Sequence, residues 1–162
     1  MANIIYLKLE GKQQGLISRG CCTSDSIGNK YQSGKEDYIF ITEFDCAVTR
    51  DQNLSHHPID FVKLIDKSSP LILVAIANNE RLTLTFDFFR ISQHSGPEKY
   101  YTIRLNEASI VNYATRSPNN ILRNDTDRFF KIFIRIRQKT KKVNCFRILF
   151  QNLISAGQAF AT

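Results

Sequence analysis

From Arg81 onward the hydrophobic pattern has a period of two. Leu82, Leu84, Phe86 and Phe88 fall on one side of an extended chain, and Thr83, Thr85, Asp87 and Phe89 on the other. This predicts a strand with a core-facing side, and burying its four large side chains is worth roughly 1.5–3 kcal/mol each. The segment before it, SSPLILVAIANN, breaks that period. Ser68 or Ser69 can accept a hydrogen bond from a free amide of a first helical turn. Pro70 fits where no amide partner is needed, and Asn78-Asn79 offers a left-handed stop. The reading is an α-helix over 69–78. Its run from 71 to 77 is apolar on every side, which predicts a short, mostly covered helix.

The remaining chain is organised around this pair. Ile5, Leu7 and Leu9 alternate with Tyr6, Lys8 and Glu10 in a strand over 4–10 that Gly11 ends. Residues 19–35, RGCCTSDSIGNKYQSGK, form a long loop with Ile27 and Tyr31 as its apolar anchors, and loops of this length in a compact domain are usually functional or disordered. Residues 37–50 read as one long strand that a bulge could interrupt. Tyr38, Phe40, Phe44, Cys46 and Val48 lie on one face, and Ile39, Ile41, Glu43, Asp45 and Thr49 on the other. A polar loop over 51–58 and an extended stretch over 59–65 lead to the helix. After the central strand, 92–99 is a turn by composition. Tyr101, Ile103 and Leu105 return antiparallel, and 108–113 continues the sheet beyond a break at Asn106. A loop over 116–127 precedes a strand over 129–137 carrying Ile132, Ile134 and Ile136. Phe146, Leu149, Phe150, Leu153 and Ile154 then follow helical spacing, with a strand over 143–150 as the competing reading.

Composition narrows the class. A chain of 162 residues is expected to be a single domain, 1–162, large enough to bury about 70% of its unfolded surface. The net charge of +7 is a property of one end: residues 1–115 carry 12 basic and 13 acidic side chains, and 116–162 carry 10 and 2. Any electrostatic partner is therefore expected at that basic tail. Cys21, Cys22, Cys46 and Cys145 have no zinc spacing and read as free thiols. No charged and apolar leader and no 18-residue apolar window is present, so neither a secretory signal nor a membrane span is expected.

Candidate chemistry is sparse. His56-His57 in a loop could share a metal, but no third ligand accompanies them. Arg19 could lower the pKa of Cys21 or Cys22, but no histidine partner can be placed beside them. Carboxylates are scattered along strand faces without acid/base pairing, so no enzyme and no cofactor is expected. Arg128, Lys131, Arg135, Arg137, Lys139, Lys141 and Lys142, interleaved with Phe129, Phe130 and Phe133, would suit single-stranded nucleic acid. The commoner role of such phenylalanines is core.

Six separated segments carry a resemblance: MANIIYLKLEGKQQG (1–15), SIGNKYQSGKED (26–37), RDQNLSHHPI (50–59), DKSSPLILVAIANNE (66–80), LTFDFFR (84–90) and YYTIRL (100–105). In order and spacing they resemble the haemolysin-coregulated protein (Hcp) family, the tube protein of bacterial type VI secretion. The resemblance covers about residues 1–115. It implies a mainly β fold, a small antiparallel β-barrel of two sheets with one flanking helix. Six copies would form a ring, and rings would stack into a tube expelled by a contractile sheath on its baseplate, beneath a VgrG spike. Such a subunit would be cytoplasmic while assembled and then secreted without a signal peptide. The tail, 116–162, departs from the family's closing strand: its Tyr and Trp positions are lost, and the chain has no Trp.

On this reading the chain is a structural tube subunit that works by surfaces, with itself, the spike, the sheath and effector cargo as partners, and no nucleic acid. Cys22, Ser24, Asp25, Ile27, Asn29 and Tyr31 are the expected ring-stacking loop. Glu43 and Asp45 are expected to face the lumen. The alternatives are an effector with a toxic tail behind a tube module and the basic nucleic-acid-binding barrel. A tail of 47 residues beyond 115 is too short for an enzyme core, and its only carboxylates are Asp125 and Asp127.

Overall fold

The alternating stretches pair edge to edge until the first meets the last. In the computed structural model, which describes residues 4–92, 96–116 and 131–138, six antiparallel strands follow one another as neighbours. They are β1 (Ile4–Gly11), β3 (Ile39–Asp45), β6 (Ile59–Leu64), β9 (Lys131–Gln138), β8 (Gly96–Arg116) and β7 (Leu82–Ser92). β7 then pairs with β1 along its whole length, from Ile4↔Phe89 to Gly11↔Leu82. That last ladder turns the sheet into a barrel and removes open edges that would otherwise invite pairing with other chains. A two-residue strand, β2 (Gly15–Leu16), folds back on β1, while β4 (Val48–Arg50) and β5 (Leu54–His56) make a separate two-stranded sheet. A four-residue helix, α1 (Ser24–Ile27), lies in the loop after β2, and α2 (Ser68–Ala77) flanks the barrel. This is the expected mainly β architecture.

Inward positions follow the predicted period. Leu7 and Leu9, Leu82, Leu84 and Phe86, and Ile132, Ile134 and Ile136 share one core with Ile72 and Ala75 of α2. Phe86 is its centre, with edge-on Phe44 and Phe61 at 4.9 and 5.4 Å.

Four local expectations are corrected. The strand over 37–50 is two strands, β3 and β4, parted at Cys46-Ala47, and β3 is itself bulged, since Ile41↔Lys63 is followed by Glu43↔Val62 and leaves Thr42 as an extra residue. The inward face changes parity there: Ile39 and Ile41 point into the core before the bulge, and Phe44 and Cys46 pack on it afterwards. Tyr38 and Phe40 belong to a different, outer cluster. The region 51–58 is not all loop, since His56 lies in β5 opposite Val48. The helix is capped by Asp66 rather than by a serine. Its Oδ1 accepts from the Ser68 amide at 2.9 Å, and the Ser69 hydroxyl accepts in return from the Asp66 amide at 3.2 Å. Finally, α2 is not mostly covered: Ile72 and Ala75 are buried, but Leu71, Leu73 and Val74 are 40–48% exposed.

Two expected breaks are present as backbone bends. Asn79 has φ 46° and ends the helix, and Glu107 has φ 54°, bending β8 one residue after the predicted break. Across that bend the register passes from Leu84↔Leu105 to Leu82↔Ala108. The strand read over 129–137 is β9 from Lys131 onward; its first two positions, most of the loop over 116–127, the centre of the turn over 92–99 and both readings of 143–154 lie outside the described residues.

Glu80, just after α2, ties the helix to the first hairpin. Its Oε1 accepts from the amides of Gln13 and Gln14 at 2.6 and 2.9 Å, and its Oε2 from the Gln14 side chain at 2.7 Å. Gly11 makes room for it, since a Cβ there would lie 2.4 Å from Glu80 Oε1 and 3.2 Å from Ile17 Cδ1. Gly11→Ala is therefore expected to cost about 1–3 kcal/mol by breaking these bonds. In a Glu80→Ala background most of that cost should vanish, a coupling that thermal melts of the four proteins measure. Burial alone would raise the Glu80 pKa, yet the three hydrogen bonds hold it below its ordinary value. Its contribution is present above the unfolded carboxyl pKa of about 4.3 and is lost as pH falls through the lower folded value. Glu80→Gln should accordingly flatten the acid limb of a stability-against-pH curve.

Candidate interaction surfaces

Alternation in β1 turns Tyr6 outward, beside Phe40 of β3 and Phe89 of β7, with ring centroids 6.0 and 5.6 Å away. The loop over 17–38 covers these rings. Cys22 is buried against Tyr6 and Phe89, and Ile27 of α1 packs on the same cluster. The Tyr6 hydroxyl donates to Gln32 Oε1, and the Cys22 amide to the Glu36 carbonyl at 3.0 Å. Lys35 closes the cover: its Nζ stands 3.9 Å from the centroid of Phe89, 5.1 Å from Tyr38 and 5.7 Å from Tyr6. Such cation–π contacts are worth about 0.5–2 kcal/mol as desolvation increases. Burial pushes the Lys35 ammonium pKa down, while the charge of Asp87 opposes the shift. Burial likewise pushes the Tyr6 phenol up to about 12.

The proposed stacking loop therefore divides. Ser24, Asp25 and Asn29 are exposed, and Tyr31, 48% exposed, is no anchor. Ile27 is half-buried and Cys22 wholly buried, so these two hold the loop down while the other four present its surface.

Glu43 and Asp45 lie beyond the Thr42 bulge on the outer side of β3, both exposed. Their face is a ladder of cross-strand charges. Lys131 Nζ meets Glu43 Oε1 at 3.0 Å, and Arg135 grips both oxygens of Asp60 at 2.7 and 3.0 Å. Asp45 stands directly opposite Asp60. Exposed pairs of this kind add little stability, about 0–1 kcal/mol each, but they set the electrostatic character of a surface. Two basic residues of the nucleic-acid reading, Lys131 and Arg135, are thus engaged by carboxylates. Arg128, Lys139, Lys141, Lys142, Phe129 and Phe130 lie outside the described residues.

A buried ionic cluster escaped the sequence reading. Lys63, in the apolar run IDFVKL, has no exposed surface, and its ammonium donates to Asp66 Oδ1 at 2.8 Å, the Leu64 carbonyl at 2.8 Å and Ser69 Oγ at 3.0 Å. All three of its donors are satisfied. Burial pushes its pKa down, and Asp66 opposes the shift. Asp66 in turn caps α2, so one carboxylate holds both the lysine and the helix start. A lysine inside an apolar strand followed three residues later by Asp and then by Ser-Ser was the available signal.

Cys21 faces this cluster. Burial pushes its thiol up to about 12, with Asp66 adding to the shift and Lys63 opposing it, so the thiol is not activated by Arg19. Cys22 points the other way, into the outer cluster, and its pKa too is raised by burial. His56 and His57 are exposed, and among the described residues no group of three His, Cys, Asp or Glu side chains converges as metal ligands. No helix among the described residues is long and apolar enough to cross a membrane.

What these elements define is a small closed antiparallel barrel, filled by its own side chains, that presents a pinned loop, an apolar helix face and a charge ladder. The sequence model of the family described as "Type VI secretion system effector, Hcp" matches residues 6–152, and the chain belongs to this family. The match runs well past residue 115, the limit of the resemblance read from the sequence. The "Major exported protein" of Pseudomonas aeruginosa is 38% identical over 121 residues, covering 68% of this chain and 70% of its own. The "Uncharacterized protein YhhZ" of Escherichia coli K12 is 50% identical over 109 residues. The match covers 67% of this chain but only 28% of that longer protein. A crystal structure of an Hcp protein shares 32% identity with a TM-score of 0.76, covering 85% of this chain and 89% of its own. The secreted Hcp3 protein of Pseudomonas aeruginosa shares 29% with a TM-score of 0.75, covering 92% and 98%.

Removing Asp66 tests the buried cluster. Asp66→Ala leaves the ammonium of Lys63 without its charge partner and is expected to cost about 3–5 kcal/mol. Losing the group that raises the Lys63 pKa drives that pKa further down. The folded state then binds fewer protons than the unfolded one between that value and about 10.4, so stability should climb as pH rises through this window. Urea unfolding at a series of pH values reads the slope.

Proposed function

We propose that this chain is a structural subunit of a type VI secretion tube. Six copies close into a ring, rings stack into the inner tube beneath a VgrG spike, and the contractile sheath on its baseplate drives the tube out of the cell. Assembly takes place in the cytoplasm, export needs no signal peptide, and effectors ride in the lumen. The observation that carries this reading is a barrel with its interior filled by its own core, so its action is expressed on its outer surfaces rather than in a catalytic cleft. The loop over 17–38 supplies a rigid protrusion, with Ser24, Asp25, Asn29 and Tyr31 meeting the next ring and Cys22 and Ile27 fixing it from beneath. Glu43 and Asp45, on the charged outer face, line the lumen in this arrangement. The exposed stripe of Leu71, Leu73 and Val74 is suited to burial between neighbours in a closed ring.

A second reading has one observation in its favour. It is the effector in which a tube module carries a toxic tail, and what favours it is that a relative sharing half its residues over the matched segment extends far beyond that segment.

Light scattering with negative-stain imaging tests the first reading. The expected result is the mass of six protomers and ring-shaped particles. Asp25→Arg with Tyr31→Ala should keep that mass while abolishing end-to-end stacking of rings. A monomer mass at every concentration, or stacking that the double variant leaves unchanged, would count against it.

A further inference from the structure

Tyr6 and Phe89 point away from the barrel interior, yet they are only 1% and 8% exposed, and Cys22 beside them has no exposed surface. What hides them is the loop over 17–38, and its fastening is uneven. The bonds from the Gly20 amide to Asp37 Oδ1 at 2.9 Å and from the Cys22 amide to the Glu36 carbonyl join the loop only to itself. The Lys67 amide, just before α2, donates to Ser26 Oγ at 3.1 Å, and the Tyr6 hydroxyl to Gln32. Over the rings the closing group is the Lys35 side chain, its Nζ 3.9 Å from the Phe89 centroid, with Tyr38 and Tyr6 at 5.1 and 5.7 Å. Three aromatic rings around one ammonium make a cage that holds a positive charge and gains little from a neutral amide. No ion pair of Lys35 occurs among the described residues. Asp87, whose charge favours the ammonium, is already held by the Thr102 hydroxyl at 2.7 Å and by Lys99 at 3.7 Å.

We propose that Lys35 is a charge-operated latch on this loop and a site of acylation: the ammonium holds the loop over Cys22, and conversion of the amine to an amide releases it. The step needs an activated acyl donor, an acyl phosphate or thioester. The free amine attacks its carbonyl carbon and the C–N bond forms. The bond from that carbon to the phosphate oxygen or thiol sulfur breaks, the leaving group takes the bonding pair, and the surplus proton of the amine passes to water. Lys35 suits this better than a lysine in open solvent, because burial among the rings lowers its ammonium pKa and so enlarges the free-amine fraction at neutral pH. Half-buried, it stays within reach of a small donor. Methylation, by contrast, keeps the charge and leaves the latch shut. If the loop meets the next ring as proposed above, its release withdraws that surface, but the latch belongs to the single chain and does not depend on the tube reading.

Labelling of the full chain with N-ethylmaleimide, read thiol by thiol from peptide masses in dilute solution, tests it. When opening is fast, the Cys22 rate follows the open fraction. Lys35→Gln should raise that rate roughly two- to thirtyfold, the factor to which a cation–π contact corresponds. Lys35→Arg should stay within about twofold of the parent, since it keeps the charge. Cys21, which belongs to the main core, should keep its rate in both. Brief treatment of the parent chain with acetyl phosphate should acetylate Lys35 ahead of the exposed Lys67, and the acetylated fraction should label at Cys22 as the glutamine variant does. Equal Cys22 rates in the two variants, a parallel rise at Cys21, or acetylation of Lys67 before Lys35 would each overturn the proposal.

Discussion

The ladder between β1 and β7 is the constraint on which everything else depends. Without it the same strands would form an open, twisted sheet with two unpaired edges, and Tyr6 and Phe89 would lie at opposite ends of it. With it, those residues become neighbours on the outside of the barrel, and the aromatic patch they make has to be covered. The loop over 17–38 is that cover. Lys35 among three rings and Cys22 beneath them turn a segment with few apolar residues into a fixed surface. The candidate stacking loop is thus a consequence of barrel closure.

A second dependency runs through α2. The helix contributes Ile72 and Ala75 to the core, a modest apolar anchor, while half of its circumference faces outward. Its position is instead specified at both ends by carboxylates, Asp66 at the start and Glu80 just after the finish. Buried ion pairs seldom add net stability, and the Lys63–Asp66 pair is better understood as fixing where the helix begins. The arrangement leaves Leu71, Leu73 and Val74 available to a neighbour without making the helix depend on one.

Most of the barrel was legible from period alone. The inward residues of β1, β7 and β9 are those the alternation named, because each strand is regular and its inner face is uniformly apolar. The reading failed where one residue changed the parity. Thr42 is an ordinary β-former, and nothing in FITEF marks it as the bulge that reverses the faces beyond it. The capping residue was misassigned because two serines and an aspartate compete within three positions, and only the partner of Lys63 decides among them. The helix reads as covered because composition cannot distinguish an apolar face turned to the core from one turned outward. Of the candidate site residues, Cys22 and Ile27 lie beneath their loop, and for Cys22 the sequence carried no sign of this, since neighbouring cysteines reveal nothing about which way each points.

Closure also has a cost in time. Ile5 cannot complete its pairings until both Ile41 and Phe88 have been made, and Ile59 waits for Ile136. During synthesis the early strands emerge long before their partners, and each carries a free backbone edge and an apolar face in the interval. Topologies dominated by such distant pairings fold slowly and are exposed to aggregation while they wait. Each new chain would therefore place a load on the chaperones that shield unfinished chains.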